Sequence, residues 1–248
     1  MMKKSILIAI LMGLVGAGLV QAQQQNCYLV KPDGSRQKAV AIQVANPQGD
    51  LMINVDGRGA VNIKRGTYRY AMIPKPQEVQ QLEQLFEEEK YQDVVKNAPA
   101  VFEAYKFLGW GDVIGGLEAE SQLALKKTDD ARKVLAKAVP FVAERPDALM
   151  RANLLIMLEN KEYDKIDAEL NKLVLSKEDA YAAFAFNMRG QIYALQGQKK
   201  QAVLEYLKTM LLFDGRKLRK ERAEAKKQAV AIMKELNDPR VSKIEAID

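Results

Sequence analysis

The alternation of apolar and polar positions changes twice along the chain, and each change marks a different kind of structure. Residues 1–22 open with Lys3 and Lys4 and continue as an apolar run of 16 residues, Ser5 to Val20. From Asn26 to Pro74 the pattern has period two, in short runs separated by glycine and proline. From Gln77 onward apolar residues recur every three or four positions, the period of an amphipathic helix. The pattern predicts a leader over 1–22, a small antiparallel β domain over 23–74, a helical domain over 77–236 and a loose tail over 237–248.

Within the β domain, Cys27–Lys31, Ala39–Ala45, Leu51–Val55, Ala60–Lys64 and Thr67–Ile73 read as strands. Pro32-Asp33-Gly34-Ser35 and Asn46-Pro47-Gln48-Gly49-Asp50 between them carry turn chemistry: proline presets φ and glycine accepts positive φ. Short alternating runs at this spacing predict a meander, curled or barrel-like. About 50 residues make a thin core, so the domain is expected to lean on the first helices. Asp56-Gly57-Arg58-Gly59 is read as a hairpin turn. No helix and no Gly-Lys-Ser/Thr follow it, so it is not a phosphate loop. Asn54 and Asp56 have the spacing of two calcium ligands, but the remaining ligands are missing. Pro74-Lys75-Pro76 is a stiff extended joint and the predicted boundary.

The helical part repeats itself. Four segments share one scheme of helix, tight polar turn and second helix. Val94, Ala131, Ile166 and Ala202 follow the four turns at matching places, at intervals of 37, 35 and 36 residues. In the last copy Phe186, Gly190, Tyr193, Gly197, Ala202 and Tyr206 stand at offsets 0, 4, 7, 11, 16 and 20. This copy resembles the tetratricopeptide repeat, which places an aromatic, a small residue, Tyr, Gly, Ala and an aromatic at those offsets. The earlier copies depart from the pattern: Gln122 and Lys126 replace Tyr and Gly, Leu154 and Ile166 fill small positions, and Pro99 is expected to interrupt the second helix of the first copy, which has Leu82 and Val94 at its small positions. The resemblance covers about residues 77–213. It implies an α-α solenoid of about four helical hairpins, with the helix over Arg216–Leu236 as a cap. It assigns Phe186, Gly190, Tyr193, Gly197, Ala202 and Tyr206 to packing between helices. It also implies a concave face for a protein or peptide partner, carried here by Glu120, Leu123, Arg151, Leu155, Asn187 and Gln191. The family's basic clamp for a terminal carboxylate needs a fuller set than Arg151 and Asn187, so that specificity is not implied.

Composition narrows the function. There is no histidine, which removes histidine-based acid–base and nucleophilic mechanisms and the commonest zinc sites. Paired carboxylates are available among Glu87, Glu88, Glu89, Glu118, Glu120, Asp129 and Asp130, but no aromatic cluster surrounds them. No catalytic residue, metal site or cofactor is therefore assigned. Cys27 is the only cysteine, so no internal disulfide forms, and it is read as buried or inert. The net charge is +6, or +4 without Lys3 and Lys4, too modest and dispersed to argue for nucleic acid. The basic stretch Arg216–Lys227 is interleaved with Glu221 and Glu224 and is read as a solvated helix face. Trp110, between two glycines, is read as packing between the first two hairpins, with a binding anchor as the other reading. Asp112 is expected to cap the helix that follows.

Residues 1–22 have the three parts of a secretory signal: basic start, short apolar core, and a small-residue end at Ala22. The apolar core is shorter than the roughly 20 residues of a spanning helix, which favours cleavage over anchoring. The chain is thus expected to be exported, to the bacterial periplasm, the cell surface or the outside. Its expected work is non-enzymatic: a binding or scaffold module that holds a partner segment in the groove of the repeats. Two rivals stand beside this reading. One is a self-assembling structural subunit. The other is a ligand-binding or enzymatic protein that uses the β domain.

Overall fold

The computed structural model describes residues 27–176 and 178–247; the expected signal segment lies outside them. The chain is mainly helical, with a small antiparallel sheet region at its start. Six strands come first: β1 (Cys27–Val30), β2 (Arg36–Ala39), β3 (Ala41–Val44), β4 (Leu51–Val55), β5 (Gly59–Ile63) and β6 (Tyr70–Met72). They form two three-stranded antiparallel sheets, ordered β2-β1-β6 and β3-β4-β5. The second is the expected meander. The first is not, because β6 returns to pair with β1, Leu29 opposite Ala71. Burial explains this. Leu29, Val30, Ala71 and Met72 are all buried, and β1 carries enough apolar surface to lie between two neighbours. The run Arg36–Val44 changes sheets at Val40, whose N–H donates to the Asn54 carbonyl. Cys27 is buried in this core, and burial raises the pKa of its thiol.

The helices are α1 (Gln77–Glu87), α2 (Tyr91–Tyr105), α3 (Gly111–Ala124), α4 (Thr128–Ala138), α5 (Pro146–Glu159), α6 (Tyr163–Val174), α7 (Asp179–Leu195), α8 (Lys199–Leu212), α9 (Arg219–Glu235) and α10 (Val241–Glu245), with one 3-10 turn at Val139–Phe141. Pro99 does not interrupt α2. The helix runs through it, held on one side by buried Val94, Ala98 and Phe102. The tail is not loose throughout: α10 packs Val241 and Ile244 on the core of α8 and α9.

Each pair α1/α2, α3/α4, α5/α6 and α7/α8 packs together, and each second helix packs on the first helix of the next pair. Every pair turns in the same way. Glu89, Lys126, Lys161 and Gly197 have φ of 59°, 62°, 61° and 75°. The following residue donates its N–H back five positions: Lys90 to Leu85, Lys127 to Gln122, Glu162 to Met157 and Gln198 to Tyr193, at 2.8–3.0 Å. This is the Schellman closure, which satisfies carbonyls that a helix end leaves free. Glycine fits such a site without penalty, whereas another residue costs about 1–2 kcal/mol there. Glycine's extra flexibility in the unfolded chain gives back roughly 0.5–1 kcal/mol. Lys161→Gly is therefore expected to stabilise the fold by about 0.5–1 kcal/mol, and Gly197→Ala to destabilise it by about 1 kcal/mol. Thermal unfolding of the two variants against the parent checks both signs.

The sheets and helices share a core. Phe107 and Leu108, between α2 and α3, are buried with Leu29, Ile42, Leu51, Ile53 and Tyr68 of the head, and Phe141 packs alongside. The Trp110 indole N–H donates to the Ile73 carbonyl at 3.1 Å, and the Arg145 guanidinium lies 4.1 Å from its ring centre. Trp110 therefore packs at the junction of head and helices, and at 3% exposure it is no binding anchor. Glu144 adds a polar latch: it accepts from Arg36 at 2.8 Å and from Tyr70 at 3.1 Å. Burial, then the neighbouring Glu144, pushes the Tyr28 phenol in this cluster up to about 12.

Candidate functional site

Three inner-face positions repeat in register. Gly116 on α3, Arg151 on α5 and Asn187 on α7 are 35 and 36 residues apart, as are Glu120, Leu155 and Gln191. At the first register the face is closed. A side chain at Gly116 would meet the backbone of Ala148 at 2.8 Å, so α5 lies directly on α3. At the next two registers Arg151 and Asn187 stand in its place and the face is open. A groove of about 560 Å³ runs there, lined by Arg151, Leu155, Phe184, Asn187, Met188 and Gln191 and walled on its far side by Lys220, Glu221, Glu224 and Gln228 of α9.

The floor of the groove is charged and largely buried. Arg151 Nε is 2.9 Å from Glu120 Oε2, and the two side chains are only 23% and 11% exposed. Glu120 thus neutralises Arg151 inside the fold. The guanidinium also lies 4.6 Å from the centre of the Phe184 ring. Burial raises the pKa of Glu120, and Arg151 offsets part of that rise. Tyr181 is raised well above the usual phenol value, first by burial and then by nearby carboxylates including Glu120. Asn187 donates to the Glu221 carbonyl at 3.0 Å, while its own buried oxygen lacks a donor. The groove thus holds a paired buried charge and, one register on, a buried Asn187 oxygen without a donor, beside an aromatic ring and apolar side chains. That set suits a segment carrying both backbone polarity and apolar side chains.

At the mouth, Lys220 reaches across to Glu89 at 2.9 Å, tying the start of α9 to the first hairpin turn. Burial would lower the Lys220 pKa, but its pairing with Glu89 and Tyr91 outweighs this and raises it. α9 is therefore a wall of the groove as well as an end piece.

Of the six expected face residues, the structure brings Arg151, Leu155, Asn187 and Gln191 to this groove. Glu120 lies beneath it as the partner of Arg151. Leu123 does not stand on an open face. It is 5% exposed and belongs to the core of the first two hairpins, because α3 is covered by α1 and α5. The residues assigned to packing are placed as follows. The Tyr206 ring leaves no space for a side chain at Gly190, where a Cβ would meet it at 2.9 Å. Ala202 and Tyr206 are buried, Phe186 is buried against Phe213, and Tyr193 is half-buried. Gly197 meets no neighbour and serves the turn alone.

Two features have roles other than those expected. Asp112 does not cap its own helix. Its carboxylate accepts from Val113, and its second oxygen accepts from the backbone N–H groups of Ala143 and Arg145 at 3.0 Å each. It fixes the loop before α5. The α9 wall, with Glu221, Glu224 and Gln228, was missed because that stretch reads as a solvated charged face. The signal for it was Leu218, Ala225, Ala229 and Ile232 on one side, which bind α9 to α8 and so point its other side at the groove.

Comparison of the chain with protein-family models, with curated proteins and with solved structures returns no match. No helix among the described residues is long and apolar enough to cross a membrane.

Proposed function

We propose that residues 77–236 are a tetratricopeptide-like solenoid, and that the protein is a non-enzymatic binding module of the bacterial envelope. Its groove holds an extended or helical segment of a protein partner. The observation that carries this is the convergence of Arg151, Leu155, Asn187 and Gln191, from two successive hairpins, on one groove where the buried Asn187 oxygen has no donor. A buried polar atom of this kind costs stability unless something completes it. The four equivalent turns at intervals of 37, 35 and 36 residues support the solenoid. The signal-like start supports export.

Gln191 is exposed at the rim, so a photo-crosslinker there tests the site without disturbing the core. In envelope extract it is expected to yield one dominant adduct, with none from a crosslinker at the exposed outer residue Lys133. Asn187→Ala is expected to weaken capture about tenfold, the effect of one interface residue of more than 1 kcal/mol. Equal adducts from both positions, or unchanged capture by the Asn187 variant, would sink the groove as the site.

A further inference from the structure

α8 is apolar on two opposite sides, and only one of them is fully buried; on the other, Leu207 is half-buried. At about 3.6 residues per turn, Ala202, Val203, Tyr206, Thr209 and Met210 fall on one side and Leu204, Leu207 and Leu211 on the other. The first set is buried in the helical core. On the second side Leu204 and Leu211 are 59% and 62% exposed, and Leu212 at the helix end is 66% exposed. A contiguous apolar ridge of this kind marks an interaction surface.

Charge says what kind of surface meets it. Of the seven basic residues between Lys199 and Lys220, Lys199 pairs with Glu235 and Lys220 with Glu89, which leaves Lys200, Lys208, Arg216, Lys217 and Arg219 against two acidic residues, a local net of +3. Lys200 and Lys208 lie on the same side of α8 as the leucines. Arg216, Lys217 and Arg219 are exposed in the loop and helix start that follow Leu212. The two acids are already engaged, Glu205 with Lys208 and Asp214 with Arg216. A second copy would bring two such faces together with like charge, so the ridge does not suit self-pairing. A leucine ridge with a basic collar instead matches an anionic lipid surface. Leucines sink into the acyl boundary while Lys and Arg sit at the headgroups. Leu204, Leu207, Leu211 and Leu212 line an open hollow rather than an enclosed slot, which leaves them accessible to a fluid layer.

We propose that the outer face of α8, with the loop after it, is a peripheral docking surface for anionic membranes. It is separate from the groove and does not depend on it. The apolar run in residues 5–20 would itself favour lipid, so a local readout is needed. In the full chain with Leu212→Cys, an environment-sensitive dye is attached at position 212; Cys27 is buried and reacts poorly. A control chain carries the dye at Arg58, an exposed turn residue of the head. With vesicles of phosphatidylglycerol and phosphatidylcholine, the dye at 212 is expected to shift to the blue and brighten several-fold. It should not respond to phosphatidylcholine alone, and the dye at 58 should respond to neither. Adding Lys200→Glu and Lys217→Glu should raise the lipid concentration needed by about thirtyfold or more, from the contribution of each basic residue near an anionic surface. Both lysines are exposed, so unchanged circular dichroism will show that the fold is kept. An unresponsive dye at 212, an equal response to neutral vesicles, or an undiminished response in the charge variant would each overturn the proposal. An unresponsive dye in a chain that light scattering shows to be dimeric would assign the ridge to self-association instead.

Discussion

Asp112→Ala is expected to lower the unfolding free energy by about 3–5 kcal/mol, the cost of stripping charge-assisted hydrogen bonds from a buried site. The Asp112 side chain is wholly buried. One carboxylate oxygen accepts from Val113 at 2.9 Å, and the other accepts from Ala143 and Arg145 at 3.0 Å each. Alanine would leave the loop donors without acceptors and out of reach of water. The damage would spread, because that loop also carries Glu144 to Arg36 and Tyr70, and Arg145 to the Trp110 ring. Asp112→Asn keeps one acceptor oxygen and should lose less. Urea unfolding followed by the fluorescence of Trp110, the only tryptophan, measures both. A loss below about 1 kcal/mol for the alanine variant would mean the loop is held by other contacts.

Phe107→Ala is expected to cost about 3–5 kcal/mol, as large aromatic truncations in a packed core do. The loss should fall unevenly across the molecule. Phe107 is 8% exposed and completes the core of the sheets from outside them. Its ring meets Phe141 edge-on at 5.3 Å and packs so tightly on Gly49 that a Cβ there would come within 2.5 Å. The strands alone bury few large side chains, so the hole would open at the seam between head and helices. Hydrogen exchange should show β3 and β4 losing protection while α7, α8 and α9 keep theirs. Unchanged protection in the strands would show that the head holds itself together without the helices.

Much of the helical architecture was legible because its signals are local. The hairpins show as helical periodicity broken by polar turns, and the intervals between turns come from counting residues. Three of the four turn residues are Glu89, Lys126 and Lys161 rather than glycine, so their positive φ was legible only by analogy with Gly197. The strands were partly legible. β4 alternates and was read with its true bounds. β2, Arg36-Gln37-Lys38-Ala39, is a polar edge strand with no alternation to see. The pairing of β6 with β1 joins segments about 40 residues apart, and no local pattern specifies it.

The candidate site divides in the same way. Counting from the last, best-matched repeat was enough to place Arg151, Leu155, Asn187 and Gln191 at equivalent inner positions. The same count placed Leu123 there and gave no reason to exclude it. Asp112 looked like a local cap because its true partners lie 31 and 33 residues downstream. Phe107 and Leu108 carry no local signal of their role, because the core they complete lies more than 30 residues upstream.

By itself the sequence determined the period, the hairpins, the turns between them and the register of the inner positions, since each depends on residues within one or two helical turns. Only the tertiary structure decided where that inner face is open. Gly116, in register with Arg151 and Asn187, carries no side chain, so α5 closes onto α3 and Leu123 is sealed into the core. Arg151 and Asn187 fill the same register one and two hairpins later, where the groove stays open and α9 becomes its wall. Helix separation depends on side chains from several elements at once, and no one-dimensional pattern records that sum.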